Sequence, residues 1–138
     1  MRTEFFIDEA AALLGVSDDT IRRWADAGRL TIGKNSSGRQ VVAGTELVPL
    51  LTEHGSASQL AASFPGSRTS ARNRFIGIVT AVTVDGVMAQ VDLQAGPFRV
   101  VSLMTRESAE ELELTPGMLA VASTKATNIT IDVLEGPQ

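Results

Sequence analysis

The chain has 138 residues, 43% hydrophobic and 20% charged, which are globular values for one ordinary domain or two small ones. It has no Cys and a single His, His54. This excludes disulfides and thiolate metal sites and makes a His-based metal site or a Ser/His catalytic pair a poor fit. A net charge of −4 argues against bulk electrostatic binding of nucleic acid, so any DNA contact must come from a local cluster of Arg and Lys. No apolar run approaches membrane-spanning length, and the N-terminus lacks the basic-then-apolar order of a signal peptide. The expected location is the cytoplasm, without a membrane partner.

Residues 5–14 read Phe-Phe-Ile-Asp-Glu-Ala-Ala-Ala-Leu-Leu. Ile7, Ala10, Ala11 and Leu14 recur at i, i+3, i+4 and i+7, which predicts a helix with one apolar face. Asp8 and Glu9 fall in its first turn, where negative charge complements the helix dipole, and Gly15 predicts a left-handed stop. Ser17 is a good N-cap for a second helix over Asp18–Ala27, with Ile21, Trp24 and Ala25 inward and Gly28 at its end. Two short helices joined by Gly15-Val16-Ser17 form a helix-turn-helix signature. The outer face of the second helix carries Thr20, Arg22 and Arg23 among Asp19 and Asp26. Arg and Thr suit contacts to phosphates and base edges. Residues 29–42 predict a hairpin with a loose tip, on which Lys34 and Arg39 can reach backbone or minor groove. Thr45 can cap a third short helix over Glu46–Leu51.

Residues 52–69 are rich in Ser, Ala and Gly, with Pro65-Gly66 as a breaker, and predict a linker. His54 reads as a solvated residue within it. Next comes Ser70-Ala71-Arg72-Asn73-Arg74, a cluster of donors just before a strand. From Phe75 the period switches to two, over a strand apolar on most of both faces. Asp85-Gly86 is a strong hairpin signal. Further strands are predicted after it, over Phe98–Met104, over Met118–Thr124 and over Asn128–Leu134. Thr105 caps one or two helical turns over 106–114. Five short strands with a helical insertion predict a small OB-like barrel. The fold class is therefore α+β: a winged helix-turn-helix over 1–51, a linker over 52–69 and a barrel over 70–138.

Two resemblances carry these elements further. Phe6-Ile7-Asp8-Glu9-Ala10-Ala11, Leu14-Gly15-Val16-Ser17, Thr20-Ile21-Arg22-Arg23-Trp24 and Gly28-Arg29-Leu30 resemble the winged helix-turn-helix of MerR-like and excisionase-type DNA-binding domains. The resemblance implies operator DNA as partner, with Ser17, Thr20, Arg22, Arg23, Arg29, Lys34 and Arg39 as contacts. Ser70-Ala71-Arg72-Asn73, Gly77-Ile78-Val79, Val101–Ser108, Leu114-Thr115-Pro116-Gly117 and Lys125-Ala126-Thr127-Asn128 resemble the Mop (molbindin, or TOBE) domain. That resemblance implies molybdate or tungstate as ligand and a homo-oligomer, dimer or hexamer, with the oxyanion held between subunits. It assigns ligation to Ser70, Arg72, Thr105, Ser108, Lys125 and Thr127, with backbone from Ala71 and Ala126.

Molybdate and tungstate are tetrahedral dianions that accept hydrogen bonds and donate none. A site for them wants Lys or Arg charge, hydroxyls and backbone N–H groups. The expected function is an oxyanion-responsive transcription regulator. The alternative is a storage or homeostasis protein whose helix-turn-helix binds no DNA. No constellation points to an enzyme, and few aromatics are available for an RNA-stacking surface.

Overall fold

The computed structural model describes residues 2–56 and 69–134. The first unit begins with β1 (Glu4–Phe6), α1 (Ile7–Leu14) and α2 (Asp18–Asp26). A wing of β2 (Gly33–Lys34) and β3 (Gln40–Ala43) follows, then α3 (Gly44–Ser56). The helix starts and stops come from the residues that predict them. Glu9 accepts the Phe6 N–H at 3.0 Å, and Gly15 closes α1 at φ 72°. Ser17 caps α2 by accepting the Thr20 N–H at 3.2 Å. Ile7, Ala10, Leu14, Ile21, Val42 and Leu47 meet in one buried core. Trp24 is half-buried at its rim, and the Arg29 guanidinium stacks on its ring, 4.9 Å from the centroid.

Three features differ from expectation. β1 pairs with β3, so the wing belongs to a three-stranded sheet of order β1-β3-β2. Its three residues are too few to show a period, and the pairing is tertiary. α3 begins at Gly44 rather than behind a Thr45 cap, and it runs to Ser56, into the stretch read as linker. Leu47 and Leu50 are buried in the core, and in the added turns Glu53 accepts from Arg29, which reaches across from the turn after α2 (3.1–3.2 Å). His54 is therefore helical, edge-on to Trp24 with ring centroids 6.4 Å apart.

The second unit contains β4 (Asn73–Asp85), β5 (Met88–Ala95) and β6 (Phe98–Thr105), then α4 (Arg106–Glu111) and β7 (Leu119–Thr124). The strands form an antiparallel sheet of order β6-β5-β4-β7. This curled sheet, with its helical insertion after the third strand, is the OB-like architecture the sequence predicts. Gly86 turns the β4–β5 hairpin at φ 61°. Val79, Ala89, Val91 and Leu93 are buried on the inner face.

β4 is not buried on both faces. Ile78 and Val84 stay exposed, at 43% and 45%. The strand expected over 128–134 is also not paired among the described residues. A short 3-10 turn at Ala126–Asn128 follows β7, and residues 129–134 continue without a ladder. Alternating β-branched residues favour a strand only where an edge is available to receive it.

Candidate functional site

In the second unit, β4 begins where β7 ends. Asn73 pairs with Thr124 and Arg74 with Ser123, so Ser70–Arg72 and Lys125–Thr127 lie at the same end of this strand pair. The Asn73 side-chain amide donates to the Thr124 carbonyl at 3.5 Å, a long bond that ties the two segments. Ser70, Arg72, Lys125 and Thr127 are exposed. Arg72 and Lys125 have no ion-pair partner among the described residues. The N–H groups of Ala126 and Thr127 open the 3-10 turn and make no hydrogen bond among the described residues. The Ala71 N–H is engaged, donating to the Thr69 hydroxyl at 3.1 Å. No carboxylate occurs anywhere in residues 69–84 or 115–131. These two stretches therefore bring charge and donors to this end of the sheet and no carboxylate of their own.

Thr105 and Ser108 lie elsewhere. Thr105 pairs with Met88, and Met88 with Asp85, so they sit at the other end of β4. Asn73 and Asp85 are separated by about 40 Å along the strand at ~3.3 Å per residue. Thr105 accepts the Ser108 N–H at 3.1 Å and donates to the Ser108 hydroxyl at 2.8 Å. These two hydroxyls cap α4 and each other. Arg106 is turned to Glu110 (3.0 Å), and Glu107 and Glu110 line the adjoining depression. One chain thus brings together the patches at 70–72 and 125–127 and leaves that at 105–108 apart.

In the first unit, Arg22 and Arg23 lie exposed on α2. Each is oriented by a neighbour. Arg22 donates to the Gln40 side-chain oxygen on β3 at 3.0 Å, and Arg23 donates to the Thr20 hydroxyl at 3.1 Å. That hydroxyl lies 3.0 Å from Ser17 Oγ. Arg39 stacks on Phe6, 3.8 Å from the ring centroid, which places it next to Arg22 and Gln40 around one shallow depression. Asp8 and Asp18 line the same depression. Lys34, on the wing, has no hydrogen-bond or ion-pair partner among the described residues. Arg29 differs from the other expected contacts: its guanidinium is held between Trp24 and Glu53. The sequence reading missed Gln40, whose signal was only its place at the start of the returning wing strand.

Comparison with known proteins divides the chain in the same way. Residues 7–48 match the family model of a helix-turn-helix domain, and residues 69–131 match that of the TOBE domain. The protein joins a helix-turn-helix domain to a TOBE domain.

Among curated proteins, the molybdenum transport protein ModE of Azotobacter vinelandii is 37% identical over 65 residues. The match takes in 46% of this chain and 24% of the relative, so the chain spans about a quarter of that relative's length. A solved molybdate-binding protein from Sporomusa ovata is 29% identical, with a TM-score of 0.45, over 50% of this chain and all of its own. The cytoplasmic molybdate-binding protein ModG, solved with molybdate bound, is 39% identical, with a TM-score of 0.42, over 44% of each chain.

Proposed function

We propose that the protein is a DNA-binding regulator that responds to molybdate or tungstate. The observation that carries this reading is the donor-only end of β4 and β7. The segments that carry Ser70 and Arg72, and Lys125 and Thr127 with the N–H groups of Ala126 and Thr127, leave the same end of that strand pair, and neither 69–84 nor 115–131 contains an acid. A tetrahedral dianion is the ligand class such a set recognises. The TOBE match and the ModE relative support the oxyanion as molybdate. Tungstate has the same charge and shape and fits the same donors.

Thr105 and Ser108 join such a site only from a second copy of the chain, since their own copy holds them at the far end of β4. The ligand therefore sits between subunits, which is what allows it to signal. An anion alters DNA affinity only by binding one arrangement of subunits better than another. A shared site does so by fixing the spacing of two helix-turn-helix heads. On each head, Ser17, Thr20, Arg22, Arg23, Lys34 and Arg39 face the operator, while Arg29 steadies α3. The domain division is 1–51, 52–69 and 70–138, with α3 continuing past the first boundary. The role is one of binding rather than catalysis.

A second reading, oxyanion storage, is favoured by one observation. Asp8 and Asp18 share the depression that holds Arg22 and Arg39, which weakens the attraction for phosphate. Two measurements on the whole chain test the proposal. Calorimetry with molybdate, tungstate and sulfate should show binding of the first two at much lower concentration than sulfate. A gel shift with DNA from the gene's own neighbourhood should give a sequence-specific complex that changes with oxyanion. Oxyanion binding without any specific DNA complex would leave storage as the function.

A further inference from the structure

Arg22 sits in the middle of α2 with a carboxylate on either side. Asp18 precedes it by four residues and Asp26 follows it by four, the spacing at which Asp and Arg on one helix meet. Neither pairs with it. Arg22 instead turns away from its own helix and donates from Nη1 to the Gln40 side-chain oxygen on β3, at 3.0 Å. It makes no other hydrogen bond and no ion pair among the described residues. The pair bridges α2 and the wing and borders a depression on each side, one lined by Asp8, Asp18 and Arg39, the other by Asp26 and Thr31. In the wing ladder Gln40 stands opposite Lys34, so these two side chains share one side of the wing.

The choice of partner matters. Arg2, Arg29, Arg99 and Arg106 are all held by carboxylates. A carboxylate fixes a guanidinium and cancels its charge at once. The Gln40 amide fixes it and leaves the charge whole. Nε and Nη2 of Arg22 stay free. That edge offers two parallel donors, the pattern that guanine O6 and N7 accept in the major groove. Asp18 and Asp26 decide between base and phosphate. Their charge opposes a phosphate beside Arg22 and leaves a neutral base edge unaffected. Holding a long side chain in place beforehand also removes part of the ordering cost from binding.

We infer that Gln40 determines operator specificity as a positioning residue: it holds Arg22 for bidentate contact with a guanine and touches no base itself. The inference rests on the proposed DNA binding. It adds the base that Arg22 reads and the residue that sets the reading.

Selection by the whole chain from a library of random-sequence duplexes tests it. The parent chain should enrich a site with a guanine whose preference R22A abolishes. Q40L should weaken the preference for that same guanine about tenfold. Its preferences at other positions, the salt dependence of its binding and its circular dichroism should stay as in the parent, which a merely structural role for Gln40 would not allow. The R22A/Q40L double variant should select as R22A does. Q40E can accept the same bond from Arg22, so it should keep the guanine preference while binding all sequences more weakly. A folded Q40L that keeps the full preference overturns the inference. So does a Q40L that loses preference at a base which R22A leaves intact, because Gln40 would then read a base of its own. Should Q40L not fold, Q40E decides: a folded Q40E without the guanine preference overturns the inference. A parent chain that enriches no sequence removes the DNA-binding reading and the inference with it. Enrichment by the parent with Q40L unchanged removes the inference alone.

Discussion

Gly77 marks a close approach of two backbones in the second unit. A Cβ added there would stand 2.2 Å from the Gln94 carbonyl oxygen, a group fixed in the β5 backbone. Gly77→Ala should therefore destabilise this unit by about 1–3 kcal/mol, the usual cost of overpacking, read as a lower unfolding midpoint in denaturant. Lys125 is the residue on which the proposed ligand depends most. A hydrogen bond to a charged group contributes about 1.5–3 kcal/mol, so Lys125→Ala should weaken molybdate binding by about one to two orders of magnitude in calorimetry. Unchanged affinity would remove Lys125 from the site. Two carboxylates give the fold an acid limit. The Arg2 guanidinium, helped by the Phe6 N–H, holds Glu9 below its ordinary pKa of 4.5. Arg99, helped by Gln90, does the same for Asp92, from 3.8. A lowered folded-state pKa stabilises above the unfolded value, and the effect is lost as pH falls through the folded one. Melting temperatures should drop as pH falls below about 4.5, and Glu9→Gln should flatten that drop for the first unit.

Elements differed in how plainly the sequence announced them. α1 and α2 were legible because their signals are local: an apolar period, Ser17 before, Gly15 after. The hairpin at Asp85-Gly86 and the capped α4 were legible for the same reason. β1 and the last turns of α3 were not: β1 exists by its pairing with β3, and the last turns of α3 face Arg29 from a distant turn, contacts that neighbouring residues do not announce. The donors of the candidate site were readable as residue types. That Ser70–Arg72 meets Lys125–Thr127, while Thr105 lies at the other end of β4, follows only from strand register. On α2, the Gln40 contact stiffens Arg22, which suits it to reading a base. Arg22→Ala should cost about 1–3 kcal/mol and relax operator specificity. Lys34 on the wing has no partner among the described residues and suits a phosphate. Lys34→Ala should weaken all sequences alike and reduce the salt dependence of binding by about one unit of slope. Fluorescence anisotropy at several salt concentrations distinguishes the two.

At the scale of the whole molecule, no helix among the described residues is long and apolar enough to cross a membrane. The chain divides into a helical unit and a sheet unit, and the proposed regulation needs more than one copy of both. The placement of Thr105 and Lys125 at opposite ends of β4 then has a consequence for cellular dose. In the proposed arrangement each copy brings two unlike halves of a receptor, and a whole receptor exists only after chains meet. Ligand affinity is then tied by mass action to how much protein is present. Diluting the protein should raise the molybdate concentration needed for half-saturation, and adding molybdate should hold the oligomer together at dilutions where it otherwise parts. A cell making few copies would be insensitive to the anion, and one making many would respond to traces, so expression level itself sets the threshold of the response.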